Sequence, residues 1–154
     1  MKSLFLLLTA LIMAPAYAQT SADRITVKDP VVRLSPPGTP VSGAFMVLQN
    51  TGDKDVQLLK AESTVAKSTE LHNHLNEGGV MKMRPVAAVP VKAKGETALK
   101  PGSYHVMLID LQAPLKEGDT VTLKLGFDDG SSKTVEAKVV KAMPAHAGHQ
   151  HHKH

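Results

Sequence analysis

From Ile25 to Val140 the chain consists of short aliphatic and β-branched runs, repeatedly interrupted by turn-forming residues. That rhythm predicts an all-β sandwich or barrel. Strands are expected at Ile25–Leu34, Gly43–Gln49, Val56–Ala61, Ser68–Leu75, Val80–Pro85, Val89–Lys92, Tyr104–Leu108, Thr120–Phe127 and Lys133–Val140. Between them fall Pro36-Pro37-Gly38, Asn50-Thr51-Gly52-Asp53, Gly78-Gly79, Lys94-Gly95, Pro101-Gly102 and Asp128-Asp129-Gly130. The last of these sits between two alternating runs and is the clearest hairpin signal. No stretch beyond about ten residues keeps a helical period, although Ala113–Glu117 has room for one short helical turn. The pattern stops at Lys141. Residues 142–154 have no apolar periodicity and are expected to be disordered without a metal.

Composition sharpens this picture at both ends. Residues 1–18 read as a secretory signal: Lys2 is the basic start, Leu4–Met13 the apolar middle, and Ala16-Tyr17-Ala18 the small-x-small cleavage site. The apolar run is about half of the roughly twenty residues needed to span a bilayer, so no membrane span is expected after cleavage. The expected organisation is a signal at 1–18, a domain at 19–141 and a tail at 142–154, with the domain exported to the periplasm as a monomer. Past the signal the only aromatics are Phe45, Tyr104 and Phe127, so the core must be aliphatic. The net charge of +4 is spread along the chain, with no basic stretch interleaved with aromatics of the kind that binds nucleic acid.

There is no cysteine, which is unusual for an exported domain and directs attention to the other sulfur residue. His72, Met83, His105 and Met107 are spaced H-x10-M-x21-H-x-M. Thioether sulfur is a soft, neutral donor and imidazole binds copper in either valence, so two of each suit Cu(I). A thioether, unlike a thiol, cannot be lost to a disulfide, although it can be oxidised to the sulfoxide. Residues two apart on a strand share a face. His105 therefore points with Met107, His72 with His74, and Met81 with Met83. A hairpin centred between Glu77 and Gly78 would place His72 opposite Met83 and His74 opposite Met81, leaving the latter pair as alternate ligands. The tail carries Met143, His146, His149, His151, His152 and His154, a nitrogen-rich set suited to Cu(II).

The four-residue spacing resembles the signature of the periplasmic copper chaperones of the PCuAC family. So do Val41–Gly52, Thr69–His74, Gly79–Pro85, and Pro101–Leu108 with the subsequent Pro114–Asp119. The resemblance covers roughly residues 25–140, and the tail resembles a His- and Met-containing extension of some members. It implies a cupredoxin-like β-sandwich, a Cu(I)-carrying role, and delivery towards the dinuclear copper centre of cytochrome c oxidase. The acceptor would be subunit II, with a thiol-containing copper chaperone as a further partner. A copper buffer or resistance protein would use the same chemistry. A blue-copper electron carrier is excluded by the missing Cys thiolate. An enzyme is not expected, because no nucleophile–base arrangement stands out and four protein ligands leave no open metal position.

Overall fold

The apolar runs become strands in the computed structural model, which describes residues 17–141. In chain order these are a four-residue helix α1 (Ser21–Arg24), then β1 (Ile25–Arg33), β2 (Val41–Asn50), β3 (Val56–Glu62), β4 (Ala66–Glu77), β5 (Val80–Pro85), β6 (Val89–Val91), β7 (Glu96–Leu99), β8 (His105–Leu111), β9 (Thr120–Phe127) and β10 (Ser132–Val140). The hydrogen-bonded order is β5-β4-β8-β2-β1-β10-β9-β3-β6, with β7 pairing the second half of β2. The sheet folds over on itself as a cupredoxin-like sandwich. Thr69 on β4 donates its hydroxyl to the carbonyl of Ala61 on β3 where the two ends meet. Pairing is antiparallel except between β1 and β10.

Alternation supplies the core. Val121, Leu123 and Leu125 on β9 point inward, as do Ala137 and Val139 on β10, Val56 and Leu58 on β3, and Val106 and Leu108 on β8. Phe127 and Met46 are the bulky additions to an otherwise aliphatic interior. The Asp128-Asp129-Gly130 hairpin forms as expected, with Gly130 at φ +81° closing the turn. It also pins α1: the Ser21 amide donates to Asp129 Oδ2 at 2.6 Å and the Ala22 amide to Ser131 Oγ at 2.9 Å. Hydrogen bonds from the Ser131 hydroxyl and the Ser21 amide hold the Asp129 carboxyl well below the usual carboxylate range.

The structure departs from the sequence expectations in three places. Glu96–Leu99 forms β7, where none was expected, because four residues are too few to show a period. Ala113–Glu117 is not helical. Nearby Gly118 donates its amide to Val139 and Asp119 accepts from the Val139 amide, so the adjoining turn is spent on β10 rather than on a helix. The third departure concerns the β4–β5 hairpin. Its turn is Gly78-Gly79, both at positive φ (+63° and +87°), a conformation in which two consecutive glycines escape the penalty any other pair would incur. The register is therefore His72 opposite Pro85, His74 opposite Met83 and Asn76 opposite Met81. The turn centre lies one residue further on than expected, so the expected pairing of His72 with Met83 and His74 with Met81 is corrected by two residues along β5.

Candidate metal centre

Strand β4 runs between β5 and β8, so its side chains reach donors on both neighbours. His72 pairs directly with His105 across one ladder, and His74 with Met83 across the other. Their rings gather: the His105 centroid lies 5.7 Å from that of His72 and 5.4 Å from that of His74. Met83 reaches over β4, and its Sδ stops 3.0 Å from His105 Nε2.

The protonation of His105 is set by its other nitrogen. Nδ1 lies 3.0 Å from the carbonyl oxygen of Ser103, which can only accept, so Nδ1 carries the proton and Nε2 presents its lone pair. That lone pair faces the thioether of Met83. Two electron-pair donors at 3.0 Å could both bind one cation. Burial lowers the His105 pKa below the ordinary imidazole value, helped by the neighbouring His72, His74 and Arg33 and opposed by the Ser103 bond. That shift favours the neutral ring, which is the state a metal requires.

His74, Met83, His105 and Met107 all line one cavity of about 410 Å³, walled in part by Arg33 and Phe45. Phe45 tilts against His105 at 6.0 Å between centroids and carries the Arg33 guanidinium 5.5 Å from its ring centre. Gly43, opposite Met107 on β2, makes room for that ring: a Cβ there would come within 3.0 Å of Phe45 Cζ. His72 is on the same face but does not line the cavity. Its Nε2–H donates to Glu70 Oε2 at 2.7 Å. The buried Nδ1 atoms of His72 and His74 have no hydrogen-bond partner, a costly condition for a polar atom and one that a metal would relieve. Among the described residues, no three His, Asp or Glu side chains converge on a metal position by themselves; the other donors on this face are the thioethers of Met83 and Met107.

Of the residues expected from the sequence, His74, Met83, His105 and Met107 line one cavity, His72 lies beside them on the same face, and Met81 is displaced to the exposed hairpin tip, 55% accessible. Met143, His146, His149, His151, His152 and His154 lie outside the described residues. Sequence reasoning missed Glu70, Arg33 and Phe45. Glu70 was within reach, being two residues before His72 and so on its face. Arg33 and Phe45 come from strands whose proximity no local pattern reveals.

Residues 25–139 match the family described as "Putative lipoprotein LpqE-like". The chain belongs to the LpqE-like family. A curated relative, "Putative lipoprotein Lxx21020" of Leifsonia xyli subsp. xyli, is 33% identical over 129 residues, 81% of this chain and 76% of the relative. Among solved structures, CuI-DR1885 from Deinococcus radiodurans is 35% identical, with a TM-score of 0.61 over 76% of this chain and 78% of that one. The copper-bound PCuAC domain from PmoF2 superposes with a TM-score of 0.65, covering 80% of this chain and 97% of the domain. At 20% identity it speaks for the fold alone. The LpqE-like chain thus has PCuAC domains as its structural neighbours. Among the described residues no helix is long and apolar enough to cross a membrane.

Proposed function

We propose that this protein is a periplasmic copper chaperone that carries Cu(I) in the β4–β5–β8 cavity. The observation that carries the reading is the approach of Met83 Sδ to the unprotonated Nε2 of His105 at 3.0 Å, with Met107 and further imidazoles on the same face. Neutral soft donors match a soft monovalent ion. The sequence spacing nominates His72 as the fourth ligand, giving His72, Met83, His105 and Met107. A Cu(I)-bearing relative, DR1885, at 35% identity supports the same cargo. Such a site holds copper without a thiolate. An acceptor rich in cysteine thiolates can therefore take the ion by ligand exchange, with no change of oxidation state.

The tail, with its five imidazoles and Met143, is proposed to bind Cu(II). The proposed acceptor is the dinuclear copper centre of cytochrome c oxidase subunit II, reached directly or through a thiol-containing copper chaperone. The test is to mix the Cu(I)-loaded protein with the soluble domain of subunit II and track copper transfer. Transfer supports delivery. Retention of Cu(I) by the protein would instead favour a periplasmic copper buffer. X-ray absorption should show two nitrogen and two sulfur neighbours at the core copper, and a spectrum without sulfur would remove the thioether assignment.

A further inference from the structure

The tip of the β4–β5 hairpin is apolar where the fold gives it nothing to cover. Pairing of β4 with β8 ends at His72–His105, whereas β5 accompanies β4 as far as Glu77–Val80. Beyond His72 the hairpin is a two-stranded ribbon at the edge of the sheet. Of the six large apolar side chains exposed among the described residues, four belong to it: Leu75, Val80, Met81 and Met83. Met83 lines the cavity, but Leu75, Val80 and Met81 do not, and they are 41%, 57% and 55% exposed. A Cβ at Gly78 or Gly79 would meet nothing within 4 Å, so the space around the turn is open. The register sets Leu75 opposite Lys82 and Val80 opposite Glu77, on the face away from His74 and Met83. Neither side chain is directed at the metal donors. Exposed apolar groups gathered inside a charged rim mark a contact surface.

The position of the tip says what covers it. Cu(I) that leaves by ligand exchange must be met by a donor of the acceptor at Met83, the exposed edge of the cavity. Along a strand Met81 is about 7 Å and Val80 about 10 Å from that point, well inside the roughly 800 Å² that each partner contributes to a standard protein interface. The exposed charges nearby are the cations Arg33, Lys82 and Arg84 against the acids Glu70 and Glu77, an excess that suits an acidic partner. We propose that the hairpin tip, through Leu75, Val80 and Met81, is the docking surface for the copper acceptor, a protein whose metal site has an apolar and acidic rim. This rests on the proposed delivery of Cu(I). The tip then governs how fast copper is passed on and leaves untouched how tightly it is held.

The experiment follows Cu(I) transfer from the full mature chain to the soluble domain of oxidase subunit II at increasing acceptor concentration. Wild type is compared with Leu75→Ser/Val80→Ser and with Leu59→Ser, a similarly exposed leucine on β3 as control. The double variant should keep the wild-type Cu(I) affinity and melting temperature. Its transfer to dilute acceptor should be slower by about tenfold, the effect of losing one strong interface contact. Leu59→Ser should match the wild type. Added salt should slow wild-type transfer by screening the cationic rim, and copper-free acceptor should shift the backbone amides of residues 75–81. Wild-type transfer by the double variant would overturn the proposal, as would unmoved amides. A loss of Cu(I) affinity in that variant would also overturn it, by making the tip part of the metal site. Dimerisation of the chain through the tip, or its sedimentation with phospholipid vesicles, would assign the surface to a second copy or to lipid instead. Copper retained by the wild type itself is a separate result: delivery to this acceptor would have failed, and its docking surface with it.

Discussion

Met46 and Met83 show one side chain put to opposite uses. Met46 is fully buried on β2 as part of the core, while Met83 is 40% exposed with its sulfur against His105. Met83→Leu and Met107→Leu should each lower Cu(I) affinity by about tenfold or more, ~1.4 kcal/mol, with little change in thermal stability. Leu approximates Met in volume, and such exchanges usually cost less than about 1.5 kcal/mol. Met46→Leu is the matched control. A competition titration against a Cu(I) chelator distinguishes them, and equal losses in all three would point to packing rather than ligation. Acid should act on the site only through its imidazoles, since thioethers do not protonate near neutrality. The fold lowers the His105 pKa, so protons compete for its Nε2 only below the ordinary imidazole range of about 6.5. Cu(I) affinity should stay nearly level from weakly alkaline pH to that point and fall beneath it. An affinity unchanged into strong acid would exclude His105 as a ligand.

The element that governs the site is the β4–β5 hairpin, whose two faces have separate tasks. On the outer face Glu77 meets Lys82 and Arg84, each at 3.0 Å, so charge covers an edge strand that buries none of its residues. The inner face carries the donors. The position of the hairpin is legible in the sequence; its register is not legible from alternation, because two-residue turns centred on Glu77-Gly78 or Gly78-Gly79 preserve the same pattern. What separates them is turn chemistry: both central residues require positive φ, which Gly78-Gly79 supplies and Glu77 would resist. The turn is thus a functional element. Gly79→Val places a β-branched residue at φ +87°, where an L-residue costs roughly 1–2 kcal/mol, with nothing nearby for the new side chain to clash with. The hairpin should shift or fray and draw Met83 away from His105. Cu(I) affinity should fall markedly while the melting temperature changes little, because β5 adds nothing to the core. A variant with native affinity would show that the hairpin register does not set the site.

Across the whole molecule, the sequence reveals strands but not neighbours. Alternation and turn residues mark nine of the strands, and an aliphatic core is implied by so few aromatics. Yet the order β5-β4-β8-β2-β1-β10-β9-β3-β6 depends on pairings between distant segments, such as His72 with His105, that local pattern does not encode. The same long-range order has a consequence for the tail. β10 runs parallel to β1, and its last residue, Val140, pairs with Arg33. The last strand of the described residues therefore ends paired with a residue that lines the cavity. Five imidazoles and one thioether in that segment favour Cu(II), whereas the two thioethers held by β5 and β8 favour Cu(I). Deleting everything after Lys141 should abolish most Cu(II) binding and leave both Cu(I) binding and the fold intact, since no strand extends past Val140 among the described residues. Calorimetric titration with each copper valence, with and without the tail, measures this directly. In copper-poor cells the truncated protein should collect less copper yet still donate the Cu(I) it holds. If truncation instead removed Cu(I) binding, the tail would be the functional element and the cavity would have lost its claim to the metal.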